Sequence, residues 1–143
     1  MNVAGILALK GREVTTITAG ALVSEAVARL ASRKIGALVV AGEDNRVEGI
    51  ISERDIVRAI GKQGAGILAN AVSSLMTREV VSCTESDTIN DVMGRMTRGR
   101  FRHLPVVEDG RLAGIISIGD VVKARIEQVE REAEEMRAYI ATA

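Results

Sequence analysis

The sequence predicts an α/β fold made of two copies of one β-α-β-β-α unit and closed by a long helix. Three observations predict it. The stretch GIISERD (Gly49–Asp55) returns as GIISIGD (Gly114–Asp120), and a repeat at that distance marks a duplicated structural unit. Around both copies, apolar runs rich in Val and Ile alternate with segments of helical periodicity. Phe101 and Tyr139 are the only aromatic residues among 143, so the core must be aliphatic. That length suits one domain or two half-size units sharing a core.

The duplication extends well beyond those seven letters. REVTTIT (Arg12–Thr18) lies over REVVSCT (Arg78–Thr84), and IGALVVA (Ile35–Ala41) over FRHLPVV (Phe101–Val107). Once Gly42 is skipped, EDNRVEGIISERDIVRA lies over EDGRLAGIISIGDVVKA, and 17 of 47 aligned positions are identical. Chance gives only a few, so the two halves share an origin.

Each unit opens on a short strand, at Val14–Thr18 and at Val80–Cys83. A helix follows. In the first unit Leu22, Ala26, Val27 and Leu30 share a face, and in the second Ile89, Val92, Met93 and Met96 do so. Buried strands come next in ALVVA and HLPVV, then polar turns in GEDNR and EDGR. VEGIIS and LAGIIS form the third strands, and helices start near Asp55 and Asp120. One hairpin with two helices cannot bury both faces alone, whereas two copies packed together can. Residues 1–62 are expected to form the first unit with a helical lead-in, VAGILAL, and residues 63–77 a linker with one short helix. Residues 78–126 form the second unit and residues 127–143 a helical extension.

Several function classes fall away. Nineteen basic residues balance nineteen acidic ones, so the basic excess of a nucleic-acid binder is missing. One Cys and one His cannot build a tetrahedral zinc site. Cys83 lies in an apolar pattern and reads as a core residue. The amino terminus lacks a basic leader and is too short to span a bilayer, so a cytoplasmic protein without membrane attachment is expected. No GxxxxGK[ST] loop or nucleophile–base pair appears, and the chain is read as a non-enzyme.

The repeated Ser and Asp admit two readings. Ser52 with Asp55, and Ser117 with Asp120, have the spacing of a capping box at a helix start. The same geometry offers a phosphate unpaired N–H groups and a hydroxyl, and offers a ribose diol a carboxylate. Gly49 and Gly114 leave room for close backbone approach.

The repeated GIISxxD, preceded by LVV or LPVV after a helix, resembles the cystathionine-β-synthase (CBS) domain pair, or Bateman module, of the stand-alone bacterial signal-transduction type. The resemblance covers about residues 12–126. It implies two pseudo-symmetric repeats packed through their sheets, with two clefts for adenosine ligands such as AMP, ADP, ATP, NAD(H) or S-adenosylmethionine. Carried over by position, one cleft takes Ser117, Asp120 and Ile115, with Thr18, Ile35 and Gly36 from the first repeat and Arg102 and His103 near the phosphates. The other takes Ser52, Asp55, Ile50 and Arg54, with Thr84, Phe101 and Arg102 from the second repeat. The repeats differ in cations: Arg100, Arg102 and His103 stand where the first has Lys34, Gly36 and Ala37. No metal is required. The implied role is a regulatory sensor that signals to an unidentified effector protein. The competing role is an oligomerisation scaffold with vestigial pockets.

From Asp120 onward the chain lacks Gly and Pro, and Val122, Ile126, Val129, Ala133, Met136 and Ile140 form an a/d seam. The seam packs either on the protein's own body or on a second copy, and the resemblance implies a homodimer.

Overall fold

The computed structural model describes residues 1–142; Ala143, the end of the expected extension, lies outside the described residues. Helix α1 (Val3–Lys10) starts at Asn2, whose side chain accepts the Gly5 N–H at 3.0 Å. Strand β1 (Thr16–Ile17) runs parallel to β2 (Ala37–Ala41), and β2 pairs antiparallel with β3 (Val47–Ser52). Between β1 and β2 lies α2 (Val23–Arg33). Its buried face is Val23, Ala26 and Leu30, not the expected set, and Leu22 and Val27 are exposed. The helix begins one residue later than the pattern suggests, with Leu22 as the residue before its first turn. Val23, Ala26 and Leu30 recur at i, i+3 and i+7 and so share the face turned to the core.

Asp44 and Asn45 make the turn between β2 and β3 with φ of 54° and 60°, a left-handed geometry that Asn and Asp tolerate. Helix α3 (Glu53–Gln63) leaves β3 directly, without a loop. The linker then forms two 3-10 turns, Ala65–Ala69 and Val72–Ser74.

The second unit repeats the plan with one change. Its opening strand shrinks to a single parallel bridge between Cys83 and Val106: Cys83 exchanges both its backbone hydrogen bonds with Pro105 and Val107, while the Val80 N–H binds the Arg78 carbonyl. Helix α4 (Ile89–Gly99) is capped by Thr88 and buries Ile89, Val92 and Met96. Strands β4 (His103–Glu108) and β5 (Arg111–Ser117) form a hairpin over Asp109 and Gly110, both at positive φ. Helix α5 (Ile118–Thr142) closes the chain. No helix among the described residues is long and apolar enough to cross a membrane.

Two aliphatic cores result, and each is completed by the other unit's lead-in. Val3, Ile6 and Leu7 of α1 pack with Cys83, Ile89, Leu104 and Ile116 of the second unit. Ile67, Val72 and Met76 of the linker pack with Ile17, Leu38 and Ile51 of the first. The exchange explains the repeated glycines. A Cβ on Gly49 would lie 2.8 Å from the Thr77 carbonyl oxygen, and one on Gly114 would lie 2.8 Å from a Leu7 methyl. The backbone approach these glycines permit is that of the chain's own lead-in segments. Val39 is wholly buried yet stands outside its own unit's core. Strand alternation turns it to the sheet face opposite Leu38 and Val40.

Candidate functional site

Where β3 passes into α3, Ser52 is both the last strand residue and the helix cap. Its hydroxyl accepts the Asp55 N–H at 3.2 Å, and Asp55 Oδ2 accepts the Ser52 N–H at 2.9 Å. The capping-box reading is therefore correct as local structure. It leaves the rest of the motif available: Asp55 uses Oδ2 in the cap, while Oδ1 accepts no hydrogen bond among the described residues.

A cleft of about 450 Å³ opens in front of this motif, within the range of small-ligand sites. From the first unit it is lined by Gly36, Ile50, Ser52, Arg54, Asp55 and Arg58. The second unit supplies Val80, Val81, Arg100, Phe101, Arg102 and His103. Four arginines face three carboxylates there, those of Glu53, Asp55 and Glu79. The apolar part comes from Ile50, Val80, Val81 and Phe101, and Phe101 packs where Gly99 has no side chain. The imidazole of His103 lies against Gly36, where an added Cβ would meet Cε1 at 3.1 Å. Burial holds that imidazole below its ordinary pKa against the opposing pull of Glu53, so it is neutral at pH 7.

The lining of this cleft includes Ile50, Ser52, Arg54, Asp55, Phe101 and Arg102, and also Gly36 and His103, which the sequence reading assigns to the Ser117–Asp120 cleft. Thr84 stands outside its lining. It is exposed, and its N–H binds Asp87 Oδ2 at 2.8 Å, shaping the turn before α4. Thr18 and Ile35 also stand outside the lining, and the Thr18 carbonyl accepts the Ala21 N–H in a turn. Arg58 was missed by sequence reasoning. It stands one helical turn after Arg54 on α3, and that spacing was the available signal. Val80 and Val81 were read as strand and gave no sign of lining a cleft.

The second motif repeats the cap. The Asp120 N–H donates to Ser117 Oγ at 3.2 Å, and the Ser117 N–H donates to Asp120 Oδ2 at 2.8 Å. Here a further group is present: the Lys10 ammonium lies 2.7 Å from Asp120 Oδ2 and donates to the Ile115 carbonyl at 3.0 Å. Burial pushes the Asp120 carboxyl up, but the Lys10 and Ser117 hydrogen bonds outweigh it and hold the group below the usual range.

The remaining candidates from the sequence behave as scaffold. Cys83 is 2% exposed, and burial pushes its thiol up to about 12, which makes it inert. The seam of α5 does not pack on the protein's own body. Val122, Ile126, Val129, Met136 and Ile140 are 47% to 66% exposed, and only Val121 and Ala124 of that helix are buried.

Comparison with known proteins agrees with this architecture. The family model described as CBS domain matches twice, over residues 8–62 and 72–127. A crystal structure of a CBS-domain containing protein from Agrobacterium tumefaciens is 52% identical with a TM-score of 0.83, covering 87% of this chain and 92% of that one. A CBS domain protein from Pyrobaculum aerophilum, complexed with AMP, is 25% identical with a TM-score of 0.75, covering 84% of this chain and 89% of that one. A mitochondrial CBS domain-containing protein of Arabidopsis thaliana is 38% identical over 122 residues, 82% of this chain and 59% of that longer protein.

Proposed function

This chain belongs to the CBS-domain family, and we propose that it is a regulatory module that binds an adenosine-type ligand between its two repeats and reports it to a partner protein. The observation that carries the reading is the cleft in which Ser52, Arg54 and Asp55 of one repeat meet Phe101, Arg102 and His103 of the other. A ligand there touches both repeats at once. In this reading Asp55 accepts the ribose hydroxyls, Ser52 and the first turn of α3 meet phosphate oxygens, and Arg54 and Arg102 neutralise the phosphate charge. Ile50, Val80 and Phe101 supply an apolar slot for the base. The related protein from Pyrobaculum aerophilum holds AMP, which supports an adenosine ligand. CBS pairs are generally regulatory and not catalytic. A ligand that bridges the repeats shifts their relative arrangement by the difference in its affinity for the two states.

The exposed seam of α5 favours a second copy of the chain as its partner, since its apolar residues recur at a/d spacing. The same seam supports the competing reading, a scaffold that works through α5 alone.

Thermal denaturation with AMP, ADP, ATP, NAD, NADH and S-adenosylmethionine separates the two. A ligand at 100 times its Kd raises stability by about 2.7 kcal/mol. A nucleotide-free preparation that none of the six stabilises would overturn the sensor reading and leave the scaffold.

A further inference from the structure

The two Ser–Asp motifs share a cap but differ in what holds them at rest. In the first repeat the Ile50 carbonyl accepts the Thr77 backbone N–H at 2.8 Å, so a peptide group pairs that strand edge. In the second, the equivalent Ile115 carbonyl accepts from the Lys10 ammonium, and the same ammonium binds Asp120. In the alignment of the repeats, Lys10 lies over Met76. The first repeat therefore has no cation at this position, and no ammonium pairs with Asp55 among the described residues.

Lys10 is firmly placed. It ends α1, whose Val3, Ile6 and Leu7 are buried in the core of the second repeat. Val3 and Ala4 donate their N–H groups to the Asp87 and Glu85 carbonyls at 2.9 Å. Just beyond the helix, Arg12 pairs with Glu85. The chain is fastened on both sides of Lys10, and the ion pair itself is only partly solvated, with side-chain exposures of 32% for Lys10 and 23% for Asp120.

We propose that Lys10 is an internal cationic ligand of the second cleft. It holds Asp120 Oδ2 and the Ile115 carbonyl, so that the Ser52–Asp55 cleft fills first and a nucleoside at the Ser117–Asp120 motif must compete with the ammonium. The inference rests on the adenosine reading of these clefts. Oδ1 of Asp120 accepts no hydrogen bond among the described residues, as at Asp55, but an ammonium on Oδ2 already balances the carboxylate charge, so hydroxyls gain less from this acceptor than from Asp55 and meet the ammonium beside it.

The test is a calorimetric titration with AMP of wild type, Lys10→Met, Lys10→Gln and Asp55→Asn, with melting curves to confirm that each variant folds. Wild type is expected to bind one AMP per chain, with any second event weaker by about tenfold or more. Asp55→Asn is expected to remove the strong event. Each Lys10 variant is expected to tighten the second event by about tenfold and bring the stoichiometry to two. Lys10→Gln keeps a neutral side chain of similar reach, so it reads the charge if Lys10→Met disturbs α1. Wild type with two equal sites overturns the inference. So does a strong site lost in Asp55→Asn combined with Lys10 variants that titrate like wild type, and in that case the adenosine reading stands. Absence of AMP binding from every variant overturns the adenosine reading and this inference with it.

Discussion

Replacing Asp55 with Asn separates the two functions of its carboxylate. In the structure Oδ2 accepts the Ser52 N–H and hydroxyl, while Oδ1 makes no hydrogen bond among the described residues. The amide oxygen of Asn can still accept from the Ser52 N–H, so the cap survives. What is lost is the favourable charge at the start of α3, about 0.3–1 kcal/mol. The loss at the ligand is larger. Hydrogen bonds to a charged acceptor contribute about 1.5–3 kcal/mol, which corresponds to a roughly 10- to 150-fold rise in Kd. Asp55→Ala removes the cap acceptor too and costs a further 0.5–2 kcal/mol or so of stability. The expected pattern is thus a large affinity loss shared by both variants and a stability loss concentrated in Ala. Calorimetry with the tightest-binding adenosine compound reads the first, and urea denaturation reads the second. If Asp55→Asn binds within threefold of wild type, the carboxylate serves the helix alone and the assignment of Asp55 to the ribose is wrong.

Two further outcomes follow from other parts of the fold. The Cys83 thiol is raised from 9.0 to about 12; the unfolded chain therefore releases this proton first, and the stability it contributes is intact below pH 9 and lost as pH rises from 9 toward 12. Native protein at pH 8 should resist a thiol reagent that labels the urea-unfolded chain at once, and equal labelling rates would contradict the buried placement. Ile126→Glu introduces a charge into the α5 seam at a position 53% exposed. It should change monomer stability by less than about 0.5 kcal/mol yet shift sedimentation from dimer to monomer, and an unchanged sedimentation coefficient would remove this seam from any dimer contact.

Much of the architecture was legible because duplication writes every signal twice. The GIISxxD copies located both strand-to-helix junctions, and the pattern Ile89, Val92, Met96 located the face of α4. What failed to show was any feature that depends on where a segment packs. VAGILAL reads as a helical lead-in, but nothing in its spacing says which core Val3, Ile6 and Leu7 enter. Leu22 and Val27 look as apolar as Val23, and only the packing of α2 on the first core decides which are buried. At the site, Ser52 and Asp55 were legible through their spacing along one chain. His103 and Gly36 belong to the same cleft through a contact between repeats, across 67 positions, that no local pattern records.

The exchange of lead-ins is what makes the surroundings of the two Ser–Asp motifs unequal. Each repeat presents a β-strand edge and an Asp on the same short motif, so identical motifs alone would yield identical sites. The strand edge must still be satisfied, since an unpaired buried carbonyl is costly. Thr77 meets that need at Ile50 with a backbone N–H. At Ile115 the need is met by a side chain that carries charge. A cation chosen to satisfy a carbonyl unavoidably acts on the nearest anion, and Asp120 is within its reach at 2.7 Å. The asymmetry between the two motifs therefore resides in the segments that precede them, where Lys10 lies over Met76.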